Sequence, residues 1–363
     1  MNMNHPVFEA LEGRTLLSGN IAAGAASGNL TLTGDALDNS VTLTRHGDTV
    51  TLTPDAGTSI NHAPPGVAVD LIGVTGKVTI RMGSGNDSVT LTGQAIEGGG
   101  EPFAIGGGAA DLSVDMGKGD DVLILAGVQA RNVSIVTGAG ENSVTVTGLD
   151  PDAAPGEAQD VQSLFLGNLK VQGSSGSEAV SLLGVRVAGA VTLKLSTGGN
   201  SAIVAPFHGS DADFNVSVGG DFVFDSSFAR QANTVTFEDP DDVGSITIAG
   251  ALRISLGLVD DGVSVEPEAD LSVGTVLFIN GCYGNDTFNL ANVDVAGLFI
   301  LNSGAGDDAI NLTNVTPGLA QWIDGQLTIP SYPSFSLPRG LSQSIQNRWI
   351  SSGTCPVLPR WFF

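Results

Sequence analysis

Positive charge is scarce in this chain. Of 363 residues, 14 are Lys or Arg against 38 Asp or Glu, which leaves a net charge of −24. A surface of that sign repels phosphate backbones, so nucleic acid is excluded as a natural partner, while solubility, salt tolerance and cation binding all fit. Aromatic residues make up only 6%, which suits a narrow core rather than a wide one. No apolar run approaches the ~20 residues of a membrane span. The cysteines are two, Cys282 in the body and Cys355 near the C-terminus. A disulfide would have to pin the tail to the body, so the reading is two free thiols. The four histidines (His5, His46, His62, His208) are scattered without metal spacing, and no Gly-x-Ser-x-Gly elbow occurs.

What is abundant is glycine, with 50 residues. Much of it lies in one recurring turn, Gly-x-Gly-(Asn/Asp)-Asp, set between short Val/Thr/Leu strands. It reads VTIRMGSGNDSVTLTG at Val78–Gly93, LSVDMGKGDDVLILAG at Leu112–Gly127 and VSIVTGAGENSVTVTG at Val133–Gly148. Weaker copies run to SGAGDDAINLTNV at Ser303–Val315, and LTLTGDALDNSVTLT at Leu30–Thr44 is an early relative. Equivalent turn positions are Leu37, Gly85, Gly119, Gly140, Gly176, Gly198, Val259, Gly284 and Gly306. Neighbouring marks lie 21, 22, 25 and 22 residues apart in places, and 34 or 36 where Gly93–Ala110 and Asp150–Asp160 are inserted. Degenerate copies near Gly57 and Asp221 fill the longest gaps, which makes about eleven units of ~22 residues.

A unit that short cannot bury a core of its own. It suits one coil of a solenoid, whose apolar face is covered only by its neighbours. Alternation supports this: Val78, Ile80 and Met82 face inward while Thr79 and Arg81 face solvent. After the turn, one inward slot runs Val41, Val89, Leu123, Val144, Val180, Ala202, Val263, Phe288, Ile310. The next runs Leu43, Leu91, Leu125, Val146, Leu182, Val204, Val265, Leu290, Leu312. The expected fold is all-β, a right-handed parallel β-helix of about eleven coils with insertions. A sandwich or propeller is the rival, but its turns need not repeat the same residues at the same place. Residues 1–28 are assigned to an N-terminal motif and cap, 29–320 to the repeat domain and 321–363 to a tail.

Stacking would align the turn's polar residues in two columns. One holds Asn39, Asp87, Asp121, Asn142, Glu178, Asn200, Asp261, Asp286 and Asp308, and the one before it Asp38, Asn86, Asp120, Glu141, Asp260, Asn285 and Asp307. Carboxylates about 5 Å apart repel by roughly 1 kcal/mol even in water, and calcium would relieve that, taking six to eight oxygens in irregular geometry. Asp87, Asp120, Asp121, Asp286, Asp307 and Asp308 are therefore the candidate calcium ligands. Plain turn chemistry explains the same residues: Gly supplies positive φ, and Asn and Asp tolerate left-handed conformations and bond their own backbone. No cofactor is required by either reading. The turns resemble the Gly-Gly-x-Gly-x-Asp nonapeptides of RTX proteins, although here each copy stands alone rather than in tandem.

Near the N-terminus, Phe8, Leu11, Glu12, Arg14, Leu16, Leu17 and Ser18 spell F-x-x-L-E-x-R-x-L-L-S. On its own the segment would form a short amphipathic helix capping the first coil. The string resembles one found at the N-terminus of large secreted and surface proteins of planctomycete bacteria, which also carry Gly/Asp-rich β repeats. That resemblance implies an exported, non-enzymatic protein at the cell surface or outside the cell. Cell-wall or extracellular polysaccharide is the partner class it leaves open. Parallel β-helices also include polysaccharide lyases, for which Arg81, Arg131, Arg186, Lys194 and Arg253 would be the pool of bases. No carboxylate cluster singles one out. After Asp324 the final 39 residues hold no acid, three arginines (Arg339, Arg348, Arg360) and five of the 16 prolines, and are expected to be a poorly ordered tail.

Overall fold

A computed structural model describes residues 19–96, 99–149, 160–209, 213–242, 244–324 and 326–328. The F-x-x-L-E-x-R-x-L-L-S string, most of the insertion at 150–160 and the tail from 329 onward lie outside the described residues. Within them the chain is all-β, with no helix, and so none long and apolar enough to cross a membrane. Two long, mostly parallel sheets hold 14 and 19 strands among the described residues. Strands pair in chain order, coil on coil, as in a β-solenoid.

The first sheet carries eleven parallel strands from Asn29–Thr33 through Val78–Arg81, Leu112–Asp115 and Val133–Ala139 to Leu298–Asn302 and Ala320–Ile323. All but the last, Ala320–Ile323, lead through a turn, Gly-rich in most coils, into a strand of the second sheet, as Val78–Arg81 leads into Ser88–Thr92 and Leu112–Asp115 into Val122–Ala126. Most coils then add a second short strand to that sheet, for example Val128–Ala130, Arg186–Val187 and Val216–Val218.

The inward slots align as the alternation demands. Val41, Val89, Leu123, Val144, Val180 and Ala202 are in register from coil to coil. Val235 then enters, then Val263, Phe288 and Ile310. All are buried except Ile310 near the C-terminal end, which is half-buried. Leu43, Leu91, Leu125, Val146, Leu182, Val204, Phe237, Val265 and Leu290 form the adjoining buried row. On the first sheet Val78, Ile80 and Met82 are fully buried while Arg81 is exposed. Burying each such side chain contributes about 1.5–3 kcal/mol, and stacking repeats it without widening the core.

Four details depart from expectation. The segment near Gly57 is not a coil: Gly47 (φ 60°) and Asp48 form a two-residue turn that sends Thr49–Pro54 back antiparallel along Ser40–His46. Thr58–Ile60 then pairs with Gly19–Ala26, so these strands cover the N-terminal end and bury Val50, Leu52 and Ile60. Buried Arg45 ties them to the next loop, donating to the carbonyls of Gly47 (2.8 Å) and Val74 (2.7 Å). The stack extends beyond its assigned bounds at both ends, with Gly19–Ala26 inside the first sheet and Ala320–Ile323 closing it against the antiparallel Gln326–Thr328. The insertion after Gly93 forms a side hairpin, Gln94–Ile96 with Gly99–Glu101. Finally, Cys282 carries no free thiol but is disulfide-bonded, a correction to the reading of two free thiols; Cys355 lies outside the described residues.

Candidate functional site

In most coils the turn between the two sheets is built on glycines, with Leu37 and Val259 at the equivalent place in two others. Gly119 (φ 128°), Gly140 (φ 138°) and Gly176 (φ 114°) sit so close to the coil below that a Cβ would lie 1.9–2.0 Å from its glycine carbonyl oxygen. This approach positions the two residues after the glycine, and it gives them opposite environments.

The second of them forms an inner column. The backbone N–H of Asn39 donates to Asp87 Oδ1 of the next coil (2.9 Å), that of Asp87 to Asp121 Oδ1 (2.8 Å), and that of Asp121 to Asn142 Oδ1 (3.1 Å). The ladder resumes with Glu178 on Asn200 (3.1 Å), Asn200 on Asn233 (3.1 Å) and Asn233 on Asp261 (2.6 Å). Asp261 then donates to Asp286 and Asp286 to Asp308. From Asn39 to Asp286 every member is buried, whereas Asp308 at the end is half-buried. Between Asn142 and Glu178 the ladder breaks, and the Asn142 N–H takes the Ser177 carbonyl (2.8 Å) instead. Glu178, one methylene longer, reaches past the column to Ser196, whose N–H and hydroxyl both bond Oε2.

The first of the two residues forms an outer column that runs the other way. Here the N–H of Asn86 donates back to Asp38 (2.7 Å), Asp120 to Asn86 (2.9 Å) and Glu141 to Asp120 (2.8 Å). Asn285 likewise donates to Asp260 and Asp307 to Asn285. These groups are exposed. A third ladder lies where each coil re-enters the first sheet: Lys77 N–H on Asn29, Asn132 on Asp111, Asn168 on Asn132, Ala190 on Asn168 and Ala251 on Asp221. Two of its acids are also ion-paired, Asp111 with Arg131 (2.7 Å) and Asp221 with Arg253 (2.6 Å).

Burial dominates the electrostatics of the inner column. It pushes the carboxyl of Asp87 up to about 6 and those of Asp121 and Asp286 up to about 7, against the hydrogen bonds they accept. Asp261 and Glu178 are raised for the same reason. Asp111 moves the other way, held well below the usual range chiefly by the Arg131 guanidinium.

The candidate calcium ligands therefore divide. Asp87, Asp121 and Asp286 lie inside the column, Asp120 and Asp307 on its exposed neighbour, and Asp308 at its end. Among the described residues no three His, Cys, Asp or Glu side chains converge as metal ligands would. The fold also assembles a cluster that the sequence did not announce: His208 lies 3.2 Å from Asp213, 3.3 Å from buried Asp239 and 3.6 Å from Asp241. Burial lowers the basicity of this imidazole, but its carboxylate neighbours outweigh it and raise it overall. The carboxylates engage both ring nitrogens, which fixes the orientation of the ring. Asn233 also escaped sequence reading, because its turn (226–233) lacks the Gly-x-Gly pattern. The third ladder had a visible signal, a polar residue directly before strands such as Leu112–Asp115, Val133–Ala139 and Leu169–Ser175.

Of the basic pool, Arg131 and Arg253 are engaged in the ion pairs above, while Arg81, Arg186 and Lys194 stand exposed on separate coils. A shallow groove of about 370 Å³ on the second sheet is lined by Thr247, Ser272, Asp294, Thr316 and small apolar neighbours, with no aromatic or basic side chain. Compared with family models, curated proteins and solved structures, the chain matches none of them.

Proposed function

We propose that this protein is a non-enzymatic structural element of the cell surface or extracellular matrix, a right-handed parallel β-helix acting as a stiff spacer. Right-handedness follows from the general preference of parallel crossover connections. The observation that carries the functional reading is where the polar side chains go. In coil after coil they are spent on ladders that tie one coil to the next, and the inner one is buried. A catalytic site would need some of these groups exposed, converging and unevenly placed. For the polysaccharide lyase reading, Arg131 and Arg253 are each tied to one aspartate and His208 is held between carboxylates at both ring nitrogens. A second alternative, a calcium-stabilised adhesive or carbohydrate-binding solenoid, finds no aromatic side chain in the groove around Thr247 and Ser272.

Export rests on the N-terminal string and on the acidic, cation-poor composition. The test is fractionation of the producing cells with protease shaving of intact cells. The protein is expected in the envelope or medium, and to be cleaved by shaving where it stays attached. Recovery in the cytoplasm, protected from the protease, would overturn the reading, as would polysaccharide cleavage by the purified chain.

A further inference from the structure

The two ends of the stack are finished differently. At the N-terminal end Thr49–Pro54 and Thr58–Ile60 lie over the first coil, and at the C-terminal end Gln326–Thr328 covers the first sheet. The second sheet ends on Ala309–Pro317, which pairs with Thr287–Val295 on one side and with no described strand on the other. Ile310, Leu312 and Val315 continue the inward rows of Phe288, Leu290 and Val293, yet they are only half-buried where those three are buried. A nine-residue edge with an apolar row behind it invites pairing with another strand, and folded proteins cover such edges. Its rim is acidic: Asp307 is exposed, Asp308 is half-buried, and exposed Asp324 accepts the Ser303 N–H (2.8 Å).

Cys282 stands one coil below this end. Its neighbour Tyr283 bridges to Ala305 of the last turn, as Ser84 does to Lys118 and Lys118 to Ala139. Cys282 therefore occupies the place held in other coils by Gly83 (φ 103°), Gly117 (φ 100°), Gly138 (φ 87°) and Gly304 (φ 107°). It keeps the left-handed conformation (φ 77°) that a side chain disfavours, and its sulfur is committed to a disulfide. The sequence holds one other cysteine, Cys355, within residues 329–363, which continue from Gln326–Thr328 at this same end. That segment has the chemistry of a cover. Phe335, Leu337, Ile345, Trp349 and Ile350 supply apolar surface, and Arg339, Arg348 and Arg360 stand with no Asp or Glu among them. Its prolines are residues that blunt a sheet edge against further pairing. We propose that Cys355 is the partner of Cys282, and that this bond holds residues 329–363 over the open end of the second sheet. The apolar side chains then cover Ile310, Leu312 and Val315, and the arginines lie beside Asp307, Asp308 and Asp324. Forming the bond takes two protons and two electrons from the thiols, received by a disulfide that is reduced to two thiols in exchange. In the cell this asks for the oxidising surroundings of the export proposed above, but the pairing is made and read on purified protein whatever its compartment.

The test is disulfide mapping and limited proteolysis of the purified full chain after treatment with oxidised glutathione. Unfolded, alkylated and digested with trypsin without reductant, the protein is expected to yield residues 254–339 and 349–360 as one linked species. It should also run as a monomer on a non-reducing gel. Two alkylated thiols, or a link between two chains, would overturn the proposal, the latter by making a second copy the occupant of the edge. On the folded protein, cleavage after Arg339 and Arg348 should be slow and rise about tenfold or more once the bond is reduced, because cleavage tracks the fraction of molecules with the cap open. Cys355→Ser should be cut at the fast rate with or without reductant, while cleavage after Arg131 in the body stays slow throughout. A rate at Arg348 that reduction leaves unchanged would refute the cap even where the bond is found. So would an equal rise at Arg131, since the bond would then hold the whole stack and not its end.

Discussion

Asp120 and Asp121 are adjacent in sequence, share a side-chain chemistry and sit in one turn, yet the fold treats them as different residues. Asp121 is buried and its Oδ1 accepts the Asp87 N–H of the coil before it, while Asp120 is exposed and accepts the Glu141 N–H of the coil after it. The two ladders thus run in opposite directions along the same corner. Identical bonds differ in worth because water competes for one set and is excluded from the other. A buried N–H stripped of its acceptor costs about 1–3 kcal/mol, whereas an exposed one is handed to solvent. The inner column should therefore hold the coils together and the outer one mainly finish the turn.

The harshest way to break this comparison removes the glycine that creates it. Gly119→Ala places a Cβ 1.9 Å from the Gly85 carbonyl oxygen at φ 128°, so both columns must separate. A loss of roughly 3 kcal/mol or more is expected from strain and displaced packing, read as the urea midpoint with its slope. Next in size is Asn200→Ala. Its oxygen accepts the Glu178 N–H, and its amide donates to Ser196 and Gly198, so about 2–3 kcal/mol should go. A loss below 0.5 kcal/mol would mean that water reaches the inner column.

A third prediction sets two kinds of acid against each other. The Asp221 carboxyl is partly buried, which works to raise it, but the Ala251 N–H and the Arg253 guanidinium hold it below its ordinary value. Its contribution is present above about pH 3.9 and lost as pH falls below that, the reverse of the inner-column acids. Arg253→Gln should flatten the acid limb of a stability-against-pH curve and leave the limb between pH 5 and 8 untouched. Movement of both limbs together would mean that the two sets of carboxyls are not independent.

Much of the fold was legible in the strands and far less of the site. The inward rows were readable because side-chain period two and a fixed turn tie Val89 to Leu123 without any knowledge of packing. Val235 carries no such signal, because the turn before it is longer and lacks glycine. The hairpin at Gly47 and Asp48 reads in the sequence as a degenerate coil, since a short apolar run looks the same whether its strand runs parallel or antiparallel. The split of the acidic turn was not legible at all. Which of two neighbouring acids turns inward is set by positive-φ glycines and by the coil beneath, and that is a relation between residues 20 to 50 positions apart.

The smallest expected effect is the most discriminating one. Asp120→Ala removes an exposed acceptor from the Glu141 N–H, which water can replace, and also removes a charge that helps push the Asp121 carboxyl upward. The two consequences oppose each other, so stability at pH 8 should change by less than about 0.5 kcal/mol. Asp121→Ala, one residue away, should cost several times more at pH 5, because it strands the Asp87 N–H in the interior. Equal costs would mean that the columns do not differ in exposure. A cost for Asp120→Ala seen only with calcium present would place a cation on the outer column, since a ligand saturated 100-fold above its Kd adds about 2.7 kcal/mol that the variant would forfeit.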